Sequence, residues 1–129
     1  MKEAIYTKSA PEAVGPYSQA VRAGDFIFVS GMLPLDPESG LPVPGSSAEQ
    51  ARQVLNNMRG VLQAAGSSLD DVVKTTIYLS EMESFSSVNE QYASFFKAPY
   101  PARATVGVGR LPRGVLVEMD AVAFTGGTK

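Results

Sequence analysis

Apolar and polar positions alternate most cleanly in the last thirty residues of the chain. Over Ala102–Val108, residues Ala102, Ala104, Val106 and Val108 form one apolar side, with Arg103, Thr105 and Gly107 opposite. A second extended segment, Val115–Val122, places Val115, Val117, Met119 and Ala121 on an apolar side continued by Ala123. Leu116, Glu118, Asp120 and Val122 fall on its other side. Side chains alternate across a strand with period two, so the two apolar faces are expected to share one core. Arg103 and Glu118 are then expected together on the opposite face. Leu111-Pro112-Arg113-Gly114 reads as the turn between them. A two-residue loop sets Glu118 opposite Gly107 and a four-residue loop opposite Thr105. The longer loop makes Arg103 and Glu118 diagonal neighbours, roughly 7–8 Å apart at the backbone. Taken alone, the pair reads best as a cross-strand salt bridge on a solvated sheet.

Upstream, Ser18–Ala23 and Phe26–Ser30 read as a hairpin around Gly24-Asp25, and the continuous run Phe26-Ile27-Phe28-Val29 predicts a buried strand. The Pro- and Gly-rich stretch from Gly31 to Gly45 reads as a structured loop. A helix follows, with a capping box from Ser46 and Glu49 or from Ser47 and Gln50. Ala51, Val54, Leu55, Met58, Val61, Leu62 and Ala65 form its apolar stripe, and Gly66 ends it. Val72–Leu79 predicts a strand with Val73, Thr75, Ile77 and Leu79 on one face. A second helix, about Ser84 to Lys97, turns Phe85, Val88, Tyr92, Phe95 and Phe96 inward, with Asn89 interrupting the stripe. At that position, water or a backbone group is the expected partner.

The predicted order is β-β-α-β-α-β-β, an α+β fold in which right-handed crossovers put both helices on one side of a single mixed sheet. The bare side would mix Arg103, Glu118 and Asp120 with Leu116, Val122 and Phe124, too apolar for water and too charged for a monomer core. Homo-oligomerisation through that face resolves the conflict.

Composition narrows the chemistry. The 129 residues suit one domain, 1–129, and a hydrophobic share of 44% allows a real core. With no Cys and no His, thiol nucleophiles, Ser-His-Asp triads and nearly all zinc sites are excluded. A net charge of −2 without a basic cluster argues against a nucleic-acid partner. The start of the chain lacks an apolar run and no segment has transmembrane length, so no membrane partner and a cytoplasmic location are expected.

Three ordered stretches carry a resemblance to a known family: Gly15-Pro16-Tyr17-Ser18-Gln19-Ala20, then Val29-Ser30-Gly31, then Pro101-Ala102-Arg103 through Leu111-Pro112 to Glu118. Val73-Lys74-Thr75-Thr76 and Val88-Asn89 add to it. On these residues the chain resembles the RidA/YjgF family of small enamine/imine deaminases. The resemblance implies a chorismate-mutase-like homotrimer, sheets inside and helices outside, with sites in clefts between subunits. It further implies hydrolysis of reactive 2-enamino or 2-imino acids to 2-oxo acids and ammonia, without cofactor or metal. Arg103 matches the arginine that holds the substrate carboxylate, and Glu118 the acid that positions and deprotonates water. Tyr17, Ser30 and the Gly31 backbone match cleft-lining residues, while Asn89 and Phe85 match positions near the mouth. Thr105 stands where the family often has Cys, so chemistry there cannot depend on sulfur. Asp120 receives no role. The rival readings are a non-catalytic module that binds small carboxylates and, less supported, the chaperone-like or RNA-cleaving behaviour linked to some family members.

Overall fold

The computed structural model describes residues 1–126. Six strands form one mixed sheet in the spatial order β1-β2-β3-β6-β4-β5. They are β1 (Lys2–Ile5), β2 (Ala20–Ala23), β3 (Phe26–Met32), β4 (Val72–Leu79), β5 (Ala102–Gly107) and β6 (Val117–Phe124), with helices α1 (Ser47–Ala64) and α2 (Phe85–Phe95). The α+β class and the helix–strand alternation follow the sequence reading. β1 is an addition: its short, exposed Lys2-Glu3-Ala4-Ile5 has no periodicity to announce it and exists by pairing with β2.

Both helices pack on one side of the sheet. The stripe of α1 from Ala51 to Leu62 is fully buried against Ile27, Ile77, Val117 and Met119. Ser46 closes the capping box with Glu49, and Gly66 (φ +78°) follows the helix end at Ala65. Gln50, the other capping candidate, is used differently. Its side-chain oxygen accepts from Leu116 N at 2.8 Å and its amide donates to Val43 O, tying the approach to β6 against α1.

Four expectations need correcting. Phe85, expected to face inward, is exposed at the first residue of α2, while Val88 and Tyr92 are buried. Phe26–Val29 is buried on one side only: Ile27 and Val29 face the helices, whereas Phe26 and Phe28 lie 41% and 47% exposed on the bare side. In β4 a bulge between Val72 and Lys74 turns Val73 outward and puts Val72 in the core instead, while Thr75, Ile77 and Leu79 face inward as expected. Most consequentially, β5 and β6 are not neighbours. β5 leaves the α2 crossover parallel to β4 and takes one edge of it, while β6 runs antiparallel along the other edge. The connection that reads as a hairpin turn therefore straddles the end of β4: Val108 N donates to Leu79 O, and Ser80 N to Leu116 O.

That insertion decides the faces. Thr75 pairs with Arg103 on one side and Ala121 on the other, so Arg103 and Thr105 lie on the helix-covered face with Ala121 and Met119. Glu118 and Asp120 pair with Tyr78 and Thr76 and lie on the bare face, together with Ala102, Ala104 and Val106. Arg103 and Glu118 are on opposite faces, and the two apolar strand faces do not share one core. The bare face is correspondingly more apolar than the sequence reading made it, joining Val106, Phe26, Phe28, Val122 and Phe124.

Candidate functional site

Glu118 anchors one half of the site. A groove of about 630 Å³ is lined by Tyr17, Ser30, Gly31 and Glu118, with Val14, Leu33 and Leu35 as apolar wall and Glu12, Pro112 and Arg113 at the rim. Glu118 and Gly31 meet where β3 bulges away from β6 between Val29 and Met32. The carboxylate lies directly over the Gly31 backbone, where any Cβ would collide with it. Burial, and then the charge of Asp120, raise the Glu118 carboxyl above its ordinary value. The Ser30 hydroxyl donates to Ser18 O at 2.5 Å, which leaves its oxygen as an acceptor toward the groove.

Polar residues of the core hold these walls, and sequence reasoning missed them. Buried Gln19 accepts from Thr7 N and donates to Thr7 O, Ala10 O and Pro11 O, which pins the segment leading to Glu12 and Tyr17. Asn57, inside the α1 stripe, donates to Leu33 O and Leu35 O and fixes the loop forming the apolar wall. The available signal was a polar amide at a fully buried helical position, which must find partners.

Arg103 anchors the other half, against α2. A groove of about 520 Å³ is lined by Arg103, Asn89, Tyr92, Ala93, Tyr100 and Pro101. The guanidinium stacks over the Tyr92 ring at 4.9 Å and lies 5.7 Å from the Phe85 centroid. It donates to Asn89 Oδ1 at 2.7 Å, so the residue interrupting the α2 stripe has an arginine as its partner rather than water or backbone. Tyr92 is itself fixed by a 2.7 Å bond to Thr75 in the core. Among the described residues Arg103 has no carboxylate partner. The cross-strand salt bridge is thus absent, and the fork is held in place with donors to spare. Thr105 follows on the same face, with a buried hydroxyl that has no hydrogen-bond partner among the described residues.

The structure therefore groups Tyr17, Ser30, Gly31 and Glu118 in one groove, and Arg103, Asn89 and Phe85 around another. β4 separates the groups: two strand spacings, roughly 10 Å, and the thickness of the sheet. Among the described residues no cluster of His, Cys, Asp or Glu suits a metal ion, and no helix is long and apolar enough to cross a membrane.

Fold and grooves define a small α+β protein with a two-helix layer over a six-stranded sheet, an acid in one groove and a cation in the other. Residues 7–125 match the family model described as Endoribonuclease L-PSP, and the chain belongs to that family, the one its motifs resemble. It is 50% identical to a RutC family protein of Pyrococcus horikoshii, over 96% of this chain and 98% of that one. It is 47% identical to the 2-iminobutanoate/2-iminopropanoate deaminase of Mus musculus, over 98% and 93% of the two chains. A Thermotoga maritima crystal structure described as a putative endoribonuclease superposes with a TM-score of 0.95 at 46% identity, covering 98% of this chain and 100% of that one. E. coli TdcF, solved with bound serine, superposes at 0.90 with 39% identity, covering 95% and 98%.

Proposed function

We propose that this protein is a hydrolytic deaminase of reactive 2-enamino and 2-imino acids, acting as a chorismate-mutase-like homotrimer with sites between subunits. The observation that carries the reading is the separation of Arg103 and Glu118. Each sits in its own groove, prepared for half of one reaction, and one chain cannot bring them together. A second copy packed on the bare sheet face supplies the missing half and covers Phe26, Phe28, Val106 and Phe124. The imine deaminase relative supports the reaction class, and the serine-bound relative supports a small amino-acid-like ligand.

In this mechanism the Arg103 fork binds the substrate carboxylate, oriented by Asn89, Tyr92 and Phe85. Thr105 lies on the same face, two residues further along β5. From the facing subunit, ionised Glu118 takes a proton from water as the water oxygen bonds to the imine carbon. The C=N π pair moves to nitrogen, which takes that proton back from Glu118 to give the neutral carbinolamine. Glu118 then takes the carbinolamine hydroxyl proton and passes it to the amine nitrogen as the C–N bond breaks and the C=O forms, and 2-oxo acid and ammonia leave. Tyr17, Ser30 and the Gly31 backbone complete the wall beside the reacting carbon. Orientation and one acid–base group suffice for an already electrophilic imine.

Mixing inactive variants tests both parts of the reading. Arg103→Ala and Glu118→Gln should each abolish acceleration of 2-oxo acid release in a coupled dehydratase assay. Subunits of the two variants, co-refolded in equal amounts, should regain about one quarter of wild-type activity, because random assembly gives about a quarter of all interfaces an intact Arg103 facing an intact Glu118. No recovery overturns the shared site, and an inert wild-type protein overturns the deaminase. Carboxylate binding that survives in an inert wild-type protein would instead support the binding-module reading.

A further inference from the structure

Asp120 shares the bare face of β6 with Glu118, two residues along the strand, and Tyr78 lies across from Glu118 on β4. Although its backbone pairs with Glu118, the Tyr78 hydroxyl reaches past it and donates to Asp120 Oδ2 at 2.9 Å. The Asp120 carboxylate is thereby fixed in the next side-chain row, its backbone position about 7 Å along the strand from that of Glu118. The other groups facing Glu118 are Ser30 and Gly31 from β3, with Tyr17, Glu12 and Arg113 around the groove. None of these forms an ion pair with Glu118 among the described residues.

We infer that Asp120, held by Tyr78, is a positioning residue for Glu118: its fixed negative charge keeps the Glu118 carboxylate turned over Gly31 and ready to take a proton from water. The inference rests on the role proposed above for Glu118. It also accounts for the same-face acids at alternate positions of β6, an arrangement that costs stability by like-charge repulsion. Two local effects agree with it. Asp120 adds to burial in favouring the protonated form of Glu118, and its hydrogen bond is the first cause raising the Tyr78 hydroxyl. A more basic Glu118 is a better proton acceptor once ionised.

The test follows Glu118 directly, by carbon NMR of its side-chain carboxyl against pH, beside the pH profile of kcat/KM. Asp120→Asn keeps the size of the side chain and an oxygen for Tyr78 but removes the charge. The Glu118 titration should move to lower pH, the acid limb of kcat/KM should move with it, and kcat at neutral pH should fall about threefold with KM unchanged. Asp120→Glu should restore the profile, and Tyr78→Phe should shift it in the same direction by less. If Asp120→Asn leaves the titration and the acid limb in place, or moves either upward, the inference is overturned whatever happens to melting temperature. The NMR titration does not need turnover, so an inert wild-type protein would remove the deaminase reading while this measurement still decides the link between Asp120 and Glu118.

Discussion

Replacing Gly31 with Ala should separate catalysis from stability. The added methyl would stand 3.1 Å from Glu118 Cδ and collide with its near carboxylate oxygen. Nonbonded carbons prefer separations of about 3.5–4.0 Å, and the oxygen needs nearly as much, so the carboxylate must retreat by about 1 Å. The backbone does not resist the change, because the φ of Gly31 lies outside the left-handed region that favours glycine. The obstructing group is the end of a flexible side chain beside an open groove, which can swing away. The stability cost should therefore stay below about 1 kcal/mol, a shift of a few degrees at most in a protein of this size. The catalytic cost is different in kind. Displacing an acid–base group by 1 Å is enough to lose about 100-fold in rate. The coupled dehydratase assay gives kcat and KM, and calorimetry or circular dichroism gives the melting temperature. A kcat within twofold of wild type would refute the claim that catalysis needs the Glu118 carboxylate to stand over Gly31. A melting temperature lowered by ten degrees or more would show that the Glu118 side chain cannot yield as argued.

Other outcomes follow from the two grooves and the bare face. Asn89→Ala removes the 2.7 Å bond that orients Arg103 but leaves the stack on Tyr92; KM should rise about fivefold with kcat nearly constant, and an unchanged KM would remove Asn89 from substrate orientation. Phe28→Asp puts a charge beside exposed Phe26 and Phe124 on the bare face. Light scattering after gel filtration should show monomers without deaminase activity, and an unaltered assembly mass would contradict the proposed interface. Glu118 is harder to ionise in the folded chain than in the unfolded one, so its stability contribution is greatest below the unfolded carboxyl value and falls as pH rises through the higher folded value. Glu118→Gln should accordingly melt higher than wild type at neutral pH and lose that advantage in acid. Equal melting temperatures throughout would mean that burial imposes no penalty on the charge.

Much of this protein was determined by its sequence because the governing forces are local. The α1 stripe, its Ser46–Glu49 cap and its end at Gly66 need only helical period and backbone preference. Alternation likewise fixed the partners within each strand: Arg103 with Thr105, Glu118 with Asp120. Motif order supplied Tyr17, Ser30 and Gly31, and the structure places them around Glu118. What alternation does not encode is which side of a strand meets the helices, or which strand stands next to it. In β6 the apolar side turns inward, whereas in β5 it turns outward. The difference arises because β5 lies at the edge of the sheet, where the Arg103 guanidinium can stack on Tyr92 and bond Asn89 instead of entering the core. Only the tertiary structure put β4 between β5 and β6, since pairing is settled by the long-range competition among whole strands and crossovers. That insertion moved the arginine and the acid to opposite faces, and with them the expectation of one site on one sheet.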